Sequence, residues 1–234
     1  MSVIVIEFIT LDGIVTDPDG SGGTPAGGWA FRYGREAIAG DMFRLGGVLD
    51  EGVLLLGRKT WELFSRIWPG RDDPFSAQMN AVAKLVATRT LTGASAWANS
   101  QVVDGDVADA VKRQERDVII MGSLSIVHTL MAGDLIDEYR LLTFPTILGT
   151  GERLFPPGPP ANLELVSAGQ AGAAVLTRYR RAADLSVSIE SLTSQQPGDP
   201  AGGPGRATAR DLPVARPGAA LRQRRPHGRG QIVG

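Results

Sequence analysis

Two segments of the chain repeat one local pattern, and that pattern narrows the fold more than any other feature. Val53-Leu54-Leu55-Leu56 runs into Gly57-Arg58-Lys59-Thr60-Trp61-Glu62, and Val118-Ile119-Ile120-Met121 runs into Gly122-Ser123-Leu124-Ser125. Each is a buried apolar strand, then a glycine that lets the backbone turn sharply, then the start of a helix. A helix start offers unpaired N–H groups and the positive end of a dipole, so it can hold a phosphate. Two such starts in one domain suit a ligand with several phosphates, such as a dinucleotide.

The neighbouring sequence continues the alternation of strand and helix. Val3–Ile9 reads as an opening strand. After it come a helix over Arg32–Leu45, the strand Val53–Leu56, a helix over Lys59–Ile67, a short helix over Pro74–Val82 and the strand Lys84–Thr88. Ala108–Glu115 reads as helix, Asp117–Met121 as strand and Leu124–Met131 as helix. Glu138–Phe144, Leu163–Ala168 and Ala173–Arg180 read as the last three strands. The pattern predicts an α/β fold: a mixed, mostly parallel sheet flanked by helices and closed by an antiparallel C-terminal pair. Between them, Leu11–Gly28 carries turn chemistry too long for a hairpin and reads as a mobile lid beside a site.

Composition changes sharply near Asp184. Before it the apolar pattern is regular; after it the chain is rich in Pro, Gly, Ala and Arg, as in Arg222-Gln223-Arg224-Arg225-Pro226. Such a stretch buries too little to offset its chain entropy. The expected organisation is one domain over residues 1–183 and a disordered tail over 184–234. With seven arginines against four acids, that tail is either a plain extension or a basic arm for an acidic partner. The whole chain has a net charge of −1 and 43% hydrophobic residues, so neither nucleic acid nor a membrane is expected as a partner. No apolar run approaches the ~20 residues that span a bilayer, and Met1-Ser2-Val3-Ile4 lacks a basic signal region, which points to the cytoplasm. Cysteine is absent, which removes disulfides, thiolate nucleophiles and most structural zinc sites.

Three familiar constellations fail on inspection. Gly52 and Gly57 ahead of Lys59-Thr60 imitate a P-loop, but Arg58 inserts before the lysine and the intervening residues are strand, not loop. No G-x-G-x-x-G follows any strand, so an ordinary dinucleotide-binding domain of that type is unsupported. The two histidines, His128 and His227, have no neighbouring partners for a triad or a metal site. The chemistry is therefore expected to ride on a bound cofactor.

Read together, the motifs resemble those of the dihydrofolate reductase-like superfamily, and more closely its branch containing the reductase domain of riboflavin biosynthesis. The resemblance is carried by Thr10-Leu11-Asp12-Gly13, Leu56-Gly57-Arg58-Lys59-Thr60-Trp61-Glu62, Val86-Ala87-Thr88-Arg89 and Met121-Gly122-Ser123-Leu124. Leu135-Ile136-Asp137-Glu138-Tyr139-Arg140, leading to Pro145-Thr146-Ile147-Leu148-Gly149, completes the order from about Val3 to Arg180. It implies NADPH as cofactor and hydride transfer to a small heterocyclic or carbonyl substrate. A dinucleotide-binding module without turnover is the alternative. A homodimer is also expected. Nothing resembles the zinc deaminase partner domain of that pathway.

By this resemblance the cofactor would be held by Gly57, Arg58, Lys59 and Thr60, by Thr88 and Arg89, and by Gly122, Ser123 and Leu124. Arg58 offers a planar fork of donors, and with Thr88 and Arg89 it could read a 2′-phosphate. Either arginine could equally be solvated surface charge. Ser123 could cap its helix, touch the pyrophosphate, or do both. Asp12, where the first strand opens into the glycine-rich loop, is either a turn former or a proton relay facing substrate. Dihydrofolate reductases place an acid on the first helix; Asp41 is the candidate here, with Glu36 as its rival. Trp29 and Phe31 are open between stacking on a flat substrate and packing the core.

Overall fold

A computed structural model describes residues 1–34, 36–38, 45 and 47–182. Eight strands form one sheet: β1 (Val3–Thr10), β2 (Val53–Gly57), β3 (Ala83–Ala87), β4 (Ser100–Val102), β5 (Val118–Met121), β6 (Glu138–Phe144), β7 (Leu163–Ala171) and β8 (Ala174–Arg181). Their order is β4-β3-β2-β5-β1-β6-β8-β7. The first six run parallel, and β8 then returns antiparallel to β6 and pairs with β7. This is the mixed, mostly parallel sheet that the strand and helix periodicities imply.

Helices cover both faces: α1 (Val48–Glu51), α2 (Arg58–Ile67), α3 (Pro74–Ala81), α4 (Val107–Lys112) and α5 (Leu124–Ala132). The register explains why β2 and β5 are apolar at every position. Val5, Ile120 and Leu55 lie side by side across three strands and meet Val111, Val127 and Leu130 of α4 and α5. The adjacent row, Ile4, Ile119 and Leu54, points the other way, into Trp61, Phe75 and Met79 of α2 and α3. Each such side chain contributes about 1.5–3 kcal/mol by leaving water. A third cluster, Trp29, Leu142, Phe144 and Leu176, packs the β6–β8 half of the sheet.

Several boundaries differ from expectation. The predicted helix over Arg32–Leu45 begins as a 3-10 turn, Ala30–Tyr33, and is helical again at residues 36–38; most of its remainder falls outside the described residues. The strand β4 and the single turn α1 had no periodicity to announce them. The segment after 182, including the predicted tail, also falls outside the described residues. Among the described residues, no helix is long and apolar enough to cross a membrane.

Candidate functional site

The two strand–glycine–helix junctions meet at the carboxyl ends of β2 and β5, where open α/β sheets bind ligands. The backbone N–H of Gly57 donates to Ser123 Oγ at 2.9 Å. Gly122 turns the chain at φ +65°, and a Cβ there would come within 3.4 Å of Thr60. Ser123 follows in the left-handed region at φ 60°, a conformation that strains a residue with a side chain. Its hydroxyl makes no capping bond to its own helix. The capping reading of Ser123 is therefore corrected: the hydroxyl ties one helix start to the other.

The capping pattern separates these helices from α3 and α4. Asp73 caps α3, accepting from Ser76 N–H at 3.0 Å and Ser76 Oγ at 2.6 Å. Asp106 caps α4 through Ala108 N–H at 2.8 Å and Asp109 N–H at 3.3 Å. The starts of α2 and α5 have no side-chain cap. The N–H groups that open each of them are left without a side-chain acceptor, and these two starts come together through Gly57 and Ser123; the single turn α1, preceded by Gly47, also has no side-chain cap.

A cleft of about 320 Å³ opens beside the first of them, lined by Ser21, Gly22, Lys59, Thr60, Glu62, Leu63 and Arg66. A second cleft of about 320 Å³, lined by Leu49, Gly52, Val82, Ala83 and Arg116 among others, lies at the amino ends of β2 and β3, away from both junctions. Arg58 is neither bare surface charge nor committed to open solvent. Its Nη1 donates to both carboxylate oxygens of Glu62, at 3.0 Å each. Thr88 Oγ1 is engaged in its own turn, accepting from Thr90 and Leu91 N–H at 3.1 Å each, while Arg89 is exposed just beyond β3.

The loop over Leu11–Gly28, expected to be a mobile lid, is organised around Asp17. That carboxylate accepts from Gly22 N–H at 2.7 Å, Thr24 N–H at 2.9 Å and Thr24 Oγ1 at 2.8 Å. Desolvation pushes Asp17 up, but the Thr24 and Gly22 donors outweigh it and hold the group below the ordinary carboxylate range. Gly27 passes so near that a Cβ would lie 2.2 Å from Asp17 Oδ2. Sequence reasoning missed Asp17; the signal available was an Asp-Pro-Asp-Gly turn ahead of a cluster of glycines.

Asp12 supplies the turn-forming role of its two readings. Oδ1 accepts from Thr10 Oγ1 at 2.6 Å and Leu148 N–H at 3.3 Å, and Oδ2 from Gly149 N–H at 2.7 Å. Arg153 donates to the Asp12 carbonyl. The Thr10 hydroxyl first, and then the Gly149 N–H, lower the Asp12 carboxyl to about 2, so it is ionised at neutral pH. Asp12→Asn puts an amide N–H₂ opposite one of those donors. Faster amide exchange at Leu148 and Gly149 is expected, with the β-sheet amides unchanged; unchanged exchange at the loop would contradict the clamp.

Other candidates separate cleanly. Trp29 is core: fully buried, donating from Nε1 to Thr16 O at 2.8 Å and edge-on to Phe144. Phe31 is exposed near the carboxyl ends of β1 and β6, where Tyr33 Oη reaches Pro145 O at 2.9 Å. Asp41 lies outside the described residues, and Glu36 is exposed beside the β7–β8 turn at Gly172. His128 Nε2 donates to the carbonyls of Arg153 and Leu154 at 3.1 and 3.2 Å, a tie from α5 to the loop before β7. Among the described residues, no three His, Asp or Glu side chains converge to hold a metal.

Comparisons with known proteins bear on the family and the fold. The sequence profile of the RibD C-terminal domain matches residues 1–177. The chain is similar to the uncharacterized protein YyaP of Bacillus subtilis (strain 168), 27% identical over 111 residues, which is 44% of this chain and 58% of that one. The alignment thus spans little more than half of that relative. The fold is similar to the crystal structure of a protein from Shewanella sp. PV-4 named for riboflavin biosynthesis. The TM-score is 0.58 at 19% identity, over 78% of this chain and 100% of that one. At that identity the likeness speaks for the fold.

Proposed function

Because the chain belongs to the RibD C-terminal domain family, whose fold is reductase-like, we propose that it is an NADPH-dependent reductase. Its substrate would be a small planar heterocycle or carbonyl compound that accepts a hydride. The observation that carries this reading is the meeting of two uncapped helix starts at Gly57–Thr60 and Gly122–Leu124, joined through Gly57 N–H and Ser123 Oγ.

The donor set suits a dinucleotide. First-turn amides of α2 and α5 aim partial positive charge at one region, which suits a pyrophosphate. Lys59 and Arg66 line the cleft, and Arg58, Thr88 and Arg89 supply donors for a 2′-phosphate. When bound, NADPH supplies the hydride; the protein's task is to hold and orient the reactants and to keep water away. The loops at Asp12–Val15 and Pro145–Arg153 form the substrate side. They are braced by Asp12, by the Ile14–Arg153 bridge and by Thr16 Oγ1, which accepts from Glu152 N–H at 2.7 Å.

Arg58→Ala is expected to weaken NADPH by about 1.5–3 kcal/mol, the range for hydrogen bonds to a charged group, and NADH far less. Titration calorimetry with both cofactors checks this; equal losses would remove Arg58 from the 2′-phosphate. A second reading, a dinucleotide-binding module without turnover, draws on Asp12, whose carboxylate is held by Thr10, Leu148 and Gly149 as a loop brace. A spectrophotometric screen of NADPH loss with pteridine, pyrimidine and quinone acceptors separates the two: firm binding without oxidation across the panel favours the module.

A further inference from the structure

The ion pair at the start of α2 bears on which cofactor the cleft prefers, and the point rests on the reading of that cleft as a nicotinamide-dinucleotide site. Arg58 meets any ligand with its Nη1 already donating to both oxygens of Glu62, one helical turn on. The two side chains are 39% and 32% exposed, so the pair is in contact with solvent and is exchanged readily. Glu62 also lines the cleft beside Lys59 and Arg66, and it is the one acid among the residues lining it.

We infer that Glu62 is a specificity-determining residue that restrains the preference for a 2′-phosphorylated dinucleotide. Two effects act together. Glu62 holds donors of Arg58 that a phosphate would otherwise take, so phosphate binding has to compete with an internal carboxylate. Its negative charge also repels a phosphate dianion, while a 2′-hydroxyl meets no such repulsion and can donate to the carboxylate. Lys59, Arg66 and Arg58 pull in the opposite direction, and Glu62 lowers the net positive charge that the phosphate meets. Glutamine has nearly the same shape and keeps one acceptor oxygen for Arg58, so Glu62→Gln removes the charge with little change to the helix.

The test titrates the full-length wild-type protein and Glu62→Gln with NADPH and with NADH, following tryptophan fluorescence. Glu62→Gln is expected to bind NADPH about fivefold tighter, from the loss of one charge–charge repulsion across a solvated distance, with NADH affinity held within about twofold. The gain should shrink in about 1 M salt, where the Debye length falls to about 3 Å. Unchanged or weaker NADPH binding by the variant overturns the inference, because Glu62 would then be supporting Arg58 rather than opposing the phosphate. Equal shifts for both cofactors overturn it too. A wild-type protein that binds neither cofactor overturns the dinucleotide reading itself, a failure recognisable because it shows before any variant is made.

Discussion

Replacing Glu138 by leucine is expected to lower the unfolding free energy by about 3–5 kcal/mol, the usual result of stranding a buried charge. Glu138 opens β6 and is only 8% exposed. It accepts from Arg140 Nε at 2.6 Å, and from Arg178 Nε and Nη2 on β8 at 3.1 and 3.0 Å. Arg140 is itself 6% exposed, so loss of the acid leaves a buried guanidinium whose remaining partner among the described residues is the Leu45 carbonyl at 3.5 Å. Desolvation pushes the Glu138 carboxyl up, but the Arg178 and Arg140 donors and charges more than reverse this and hold it low. A depressed carboxylate contributes its stability above the unfolded value of about 4.3 and loses it as pH falls through the folded value. Urea denaturation should therefore show the full gap between wild type and variant at pH 7 and a narrowing gap below about pH 4. A difference under about 1 kcal/mol at pH 7 would mean that Arg140 escapes to solvent.

The consequence reaches the site. β6 runs from Glu138 to Phe144 and delivers Pro145–Gly149 to Asp12. The network at one end of the strand therefore fixes where the loop at its other end begins. Stability here and geometry there are parts of one strand.

What could be read in advance was whatever leaves a periodic trace. The runs Val53–Leu56 and Val118–Met121 are apolar throughout because both of their faces are covered, and a glycine at each turn then marks the junction. The order β2-β5-β1 is not written in such runs, since every parallel strand carries the same pattern. Ser100–Val102 became β4 through pairing with β3, not through any local preference. The bond from Gly57 to Ser123 joins residues far apart in the chain, so no spacing could announce it. The Arg58–Glu62 pair was legible in principle, as opposite charges four apart on a helix. Charged residues inside strands are the most misleading signal, because composition alone places them at the surface.

Lys84 is the strongest example, and Lys84→Met is expected to lower stability by about 2–4 kcal/mol: the carbonyls of Val82 and Ala98 lose their ammonium donor, while that of Asn80 keeps only Asn99 Nδ2 at 3.2 Å. In register it stands opposite Leu54 on β2 and Ser100 on β4, and it is 1% exposed. Its Nζ donates to the carbonyls of Asn80, Val82 and Ala98 at 3.1, 2.7 and 3.1 Å, so all three ammonium protons are used. The ammonium lies 4.3 Å from the centre of the Trp97 ring, and Trp97 in turn donates to Asn80 Oδ1 at 2.7 Å. One side chain thus fastens the end of α3 to the sheet and to the turn before β4. Burial pushes Lys84 down to about 8, against about 10.4 for an unfolded lysine. Between these values the unfolded chain binds more protons than the folded one, so stability from this group rises with pH across that window. Tyr139, pushed up by burial to about 12, acts in the opposite sense above about pH 10, where the unfolded phenol ionises first. Wild-type stability should therefore climb from pH 8 towards 10 and decline beyond it, while Lys84→Met lacks the climb. Urea denaturation at pH 7 and pH 9.5 measures this directly: the gap between the proteins should widen at the higher pH. A gap that stays constant or closes would show that the ammonium keeps its proton across the window, held by its three carbonyls and the indole face.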